Sequence, residues 1–142
     1  MKLSNFTIKS FTELEWPNGG YADLHNDFLS NQLAYKPQAA SLVLFWTKST
    51  GEWAKQVQIA SLKIVFTNVN FLRVREREAA YPLSEDECLS EIGWSPPDEK
   101  DNFDSFYPDQ NAPSTYDLLI GFHSEWAIKL NADNAQLFIE TL

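Results

Sequence analysis

The residues whose types could do chemistry fall in a few short stretches. "FHSEW" at 122–126 sets His123, Ser124 and Glu125 in a row. A Ser-His-acid triad needs a nucleophile, a base beside it and a third group that orients the base. Adjacent residues of a strand point to opposite faces, so His123 and Ser124 are not expected to pair, and the chain has no G-x-S-x-G elbow. "DLHND" at 23–27 carries His25 between Asp23 and Asp27. On a strand these three would share a face, and with His123 they would offer a metal two imidazoles and a carboxylate. Those ligand types are generic. The preferred reading is an exposed polar segment after a turn, in which His25 caps or hydrogen-bonds a loop carbonyl, with no metal and no cofactor. Cys88 lies among Glu85, Asp86, Glu87 and Glu91, whose charge opposes a thiolate, so it reads as a small apolar residue. "PDEKDNFD" at 97–104 clusters carboxylates, yet it lacks the glycine and closing glutamate of an EF-hand loop.

The acidic residues are strongly localised. Residues 84–109 hold nine acids and one base, Lys100, so −8 of the formal net charge of −9 lies there. Phosphates need cationic partners, and the one basic cluster, "RVRER" at 73–77, is interrupted by Glu76 and followed by Glu78. Nucleic acid is therefore not an expected partner. The acidic segment also carries Trp94, Phe103, Phe106 and Tyr107. Acids mixed with aromatics suit a basic protein partner, the rings as anchors and the charge for steering. The candidate partner-binding residues are Asp98, Glu99, Asp101, Phe103, Asp104, Phe106 and Tyr107. The competing reading is that the rings pin a long loop to the core.

Other elements must position these residues. A chain of 142 residues, 44% hydrophobic and 14% aromatic, fits one domain with a real core. An acidic, proline-rich insertion is expected at about 84–115. No apolar run approaches the roughly 20 residues that span a bilayer, and no signal peptide is evident. One cysteine permits no internal disulfide, which makes a reducing cytoplasm the default setting. Alternation of apolar and polar residues predicts strands at "NFTIKSF", "ASLVLFWT", "LKIVFT", "FLRVRE", "YDLLIGF", "WAIKL" and "AQLFIETL". "WPNGG" and "NADN" read as turns. A bend, bulge or tight hairpin is expected at Asn68–Asn70. "YADLHNDFLSNQLAY" has helical spacing at Leu24 and Phe28 but polar residues that oppose a helix. "LSEDECLSEIGW" at 83–94 reads as a short helix, with Ser84 and Glu87 as a capping box, Leu83 and Cys88 as a staple, and Gly93 as the stop. The expected fold is α+β: a mainly antiparallel, strongly curved or partly closed sheet with one or two short helices.

The segments "LHNDFL", "LKIVFTNVNFLRV" and "SEWAIKLNAD", in that order, resemble the layout of small immunity-type proteins of bacterial polymorphic toxin systems and of similar uncharacterised bacterial families. The resemblance implies an α+β protein without catalysis that neutralises a toxin by binding it, and it carries over no site residue. The leading functional expectation is thus a non-catalytic cytoplasmic binding protein with an acidic-aromatic surface. The alternatives are a small-molecule or lipid-binding β-domain, and a hydrolase or metal enzyme using His25 and His123.

Overall fold

The computed structural model describes residues 1–108 and 110–142; Asp109, one of the nine acids, lies outside the described residues. The chain is nearly all β, a curled antiparallel half-barrel. Its seven-stranded sheet contains β1 (Lys2–Leu3), β5 (Phe28–Lys36), β6 (Ser41–Lys48), β7 (Ile59–Arg75), β8 (Leu89–Ser95), β9 (Asp117–Phe122) and β10 (Ala127–Thr141). The order is β5-β6-β7-β10-β9-β8, with β1 pairing in parallel along β10. A second sheet is a meander of β2 (Thr7–Ser10), β3 (Glu13–Trp16) and β4 (Gly20–Asp23).

Alternation on β6 and β7 builds the core. Leu42, Leu44 and Trp46 stand opposite Phe66, Ile64 and Leu62, and all six are sealed from solvent. Phe6, Ile8 and Leu14 of the small sheet join the same cluster, so the concave side is filled by side chains. The long β7–β10 pair bends in the middle. Val69 pairs with Ala132 and Phe71 with Asn131, which leaves Asn70 as an unpaired bulge, and Asn68 has φ 54°. Asparagine tolerates that left-handed backbone, and a bulge adds twist and bend to its strand. "NADN", read as a turn, is instead continuous β10. Asn68 Nδ2 donates to Asp133 Oδ2 across the pair at 2.9 Å, so the two asparagine-rich stretches meet at the bend.

The helical part of the α+β expectation is overturned. Among the described residues helical ones make up 8%, and no helix reaches seven residues. "LSEDECLSEIGW" divides into a 3-10 turn, Leu83–Glu87, and strand β8. Pro82 holds the position before the turn, no side chain caps it, and Ser84 is exposed. The reason lies in a β-bulge: Leu89 pairs with Phe122 and Glu91 with Gly121, so Ser90 is the extra residue. The bulge lets Leu89 and Ile92, three apart, both face the core, and that spacing imitates a helix. Similarly, Leu24 and Phe28 are both buried, but a tight turn between β4 and β5 gives them their four-residue spacing.

Candidate functional site

The β9–β10 turn places His123, Ser124 and Glu125. The Phe122 amide donates to the Trp126 carbonyl at 3.0 Å and the Glu125 amide to the Phe122 carbonyl at 3.0 Å. Glu125 takes the left-handed backbone the turn needs, φ 72°. The Phe122 and Trp126 rings stack at 4.1 Å. Ser124 is sealed, and its hydroxyl makes no well-formed hydrogen bond, to imidazole or otherwise. The hydroxyl faces Asp86; together with the Arg77 guanidinium it holds that carboxyl below the usual carboxylate range. His123 points elsewhere, its Nδ1 lying 3.4 Å from Glu85 Oε2. No nucleophile–base pair forms here.

The two histidines do converge. Asp23 builds the β4–β5 turn: its Oδ1 accepts from the His25 amide at 3.0 Å and the Asn26 amide at 3.1 Å. His25 Nδ1 lies 2.8 Å from the Leu89 carbonyl, an acceptor, so Nδ1 carries the proton. The His25 and His123 rings stack with centroids 4.9 Å apart. Asp23 is occupied by the turn, and among the described residues no three His, Cys, Asp or Glu side chains gather with metal-holding geometry. The stack instead fastens the β4–β5 turn to β8 and to the β9–β10 turn. Cys88 lies beside it, half-buried, its thiol pushed up by burial and then by Glu85 and Glu87.

The acidic loop after β8 lies as a strap over the outer face of β7, β10 and β9. Beneath it Lys129 is completely covered and donates to the Glu99 and Asn102 carbonyls, both at 2.6 Å. Lys100 reaches the buried Asp117 carboxylate at 2.5 Å. Asp101 pairs with Arg73, and Asp104 lies 3.6 Å from Arg75. Phe103 covers Arg75 and Lys129, with centroid distances of 5.3 and 5.4 Å. Phe106 packs on Gly93, and Tyr107 bridges Trp94 through its backbone. The seven candidate binding residues are therefore close together; Glu99, Phe103 and Phe106 are half-buried, whereas the Asp101 and Asp104 side chains are 89% and 92% exposed. Asp98 is exposed, and Tyr107 is 49% exposed.

A second acidic surface lies at the end of β7. Three adjoining hollows all include Arg75 in their linings, and Glu76, Arg77, Tyr81 and Glu125 each line two of them. Glu76, Glu78, Glu85, Glu87, Glu91 and Glu125 ring them. The cations in this ring are already engaged: Arg75 with Glu125 at 3.3 Å, Arg77 with Asp86 at 2.9 Å. Three large apolar groups stand exposed beside the glutamates, Val74 at 55%, Tyr81 at 41% and Leu83 at 74%. Sequence reading missed Glu76, Glu78, Tyr81 and Leu83. The signal was in "RVRERE": the arginines and glutamates alternate with period two, so each set keeps to one side of an extended chain.

No protein-family model, curated protein or solved structure matches this chain. No helix of the described residues is long and apolar enough to cross a membrane.

Proposed function

We propose that this protein is a non-catalytic, immunity-like cytoplasmic binding protein whose partner is a basic protein. The observation that carries this reading is the group of glutamates lining hollows that also hold exposed Tyr81 and Val74, with exposed Leu83 next to them in the chain. Exposed apolar side chains supply anchors that lose water on binding. The carboxylates of Glu76, Glu78, Glu87 and Glu91, which form no ion pair among the described residues, attract lysine and arginine and raise the association rate. Arg73 and Arg75 partly match the charge of Asp101 and Asp104, whose side chains stay open to solvent, so the proposed surface is centred on residues 74–91 and Asp104 of the strap borders it.

The test uses a partner captured by pull-down, with on-rates then measured across a salt series. Neutralising Glu76, Glu78, Glu87 and Glu91 to glutamine should leave the fold intact, because Glu76, Glu78 and Glu87 are exposed and Glu91 is partly so. Association should slow by about tenfold at low salt and converge on wild type as screening shortens below about 8 Å. Equal on-rates at low salt would remove the glutamate ring from recognition.

A further inference from the structure

We propose that the partner engages this surface by adding a strand: an extended peptide segment bearing lysine or arginine lies in the seam where the half-barrel fails to close. The proposal rests on the basic-partner reading and names how the partner docks. A groove of about 440 Å³ has Ser30–Leu33 of β5 on one side and Val74–Arg77 with Trp126 on the other. Among the described residues neither β5 nor the end of β7 has a strand partner across the groove, and Asp86 and Glu87 of the 3-10 turn, which packs near β5, also line it. β5 has β6 on one side only. β6 pairs with β7 only as far as Phe66, so among the described residues Phe71–Arg75 pair with β10 alone. Edge strands present free N–H and C=O groups, and an extended peptide satisfies them with main-chain bonds while alternate side chains enter pockets.

The lining supplies the side-chain chemistry. Leu33 is 37% exposed and Val74 55%, which suits an apolar residue facing inward between them. Glu76 and Glu87 stand exposed on the same groove, whereas Arg75 and Arg77 are held by acids of this chain. The open charge in the seam is therefore negative, and the complementary segment is apolar at alternate positions with lysine or arginine between.

The experiment pans a phage-displayed library of random linear peptides on the immobilised protein and measures the affinity of the enriched peptides in solution. Wild type should enrich sequences alternating β-branched or aromatic residues with lysine or arginine, and binding should perturb the β5 amides of residues 30–33 in NMR spectra. The double variant Leu33→Asp/Val74→Asp replaces two exposed side chains, so circular dichroism should show an unchanged fold. It should bind the peptides at least about tenfold more weakly, although it adds negative charge that would favour them. Three outcomes would overturn the proposal: no enrichment over background, enriched peptides that bind the double variant as well as wild type, or a wild-type dimer that the double variant makes monomeric, which would give the edge to a second copy. Failure here is separable from failure of the binding reading. A captured partner that needs the glutamates but ignores the double variant sinks the strand and keeps the surface; a partner indifferent to both sinks the surface as well.

Discussion

Lys129→Met tests how the acidic strap is held. The ammonium is covered on all sides and gives two short bonds to strap carbonyls, those of Glu99 and Asn102. Hydrogen bonds to a charged group contribute about 1.5–3 kcal/mol each. Against them stands the desolvation of the ammonium, which pushes the Lys129 pKa below its ordinary value despite Asp117 and Glu99 nearby. Methionine fills a similar length, carries no charge and removes both bonds. The freed carbonyls belong to a surface loop and can turn to water, so the net loss should be about 2–3 kcal/mol. With a urea slope of about 1–3 kcal/mol per molar, the midpoint should fall by about 0.7–3 M. Limited trypsin digestion gives a local readout, because Lys100 lies in the strap and cleavage there should accelerate. An unchanged or higher midpoint with unchanged cleavage after Lys100 would refute the argument. It would mean that desolvating the ammonium costs as much as its two bonds contribute.

The same residue makes a pH prediction. Its folded pKa is lowered beneath 10.5, so between the folded pKa and 10.5 the unfolded chain binds the extra proton and stability rises with pH. Urea midpoints of wild type should gain on those of Lys129→Met as pH climbs toward 10.5, and a constant difference would contradict this. Gly93→Ala should cost about 1–3 kcal/mol by overpacking, since a Cβ there would lie 2.4 Å from Phe106 Cε2 and 2.7 Å from the Tyr107 carbonyl oxygen; a thermal melt matching wild type would show that the strap yields freely. Ser84→Ala should change the unfolding free energy from urea titration by no more than about 0.5 kcal/mol, because Ser84 caps nothing, and a loss near 1 kcal/mol would restore the cap.

Where a strand buries one face, the alternation of residue types was enough to find it. "ASLVLFWT" became β6, because period two leaves one arrangement that buries the apolar set; "YDLLIGF" became β9, which is buried on both faces, and "HSE" became the turn between β9 and β10. The curl was legible too: asparagines in "TNVN" mark the bend in β7. What local pattern could not decide was whether a spacing of three or four came from a helix or from a bulge or turn. Ser90 and the β4–β5 turn imitate helical spacing, and only pairing with β9 and β6 made extended backbone the better burial. Likewise, composition placed nearly all the charge at 84–109, but a count of charges does not say which are already matched. Arg73, Arg75 and Arg77 lie up to about 30 positions away from the acids they neutralise. The fold brings them together, so Asp101 and Asp104 face arginines while staying open to solvent, and further open carboxylates gather at the end of β7.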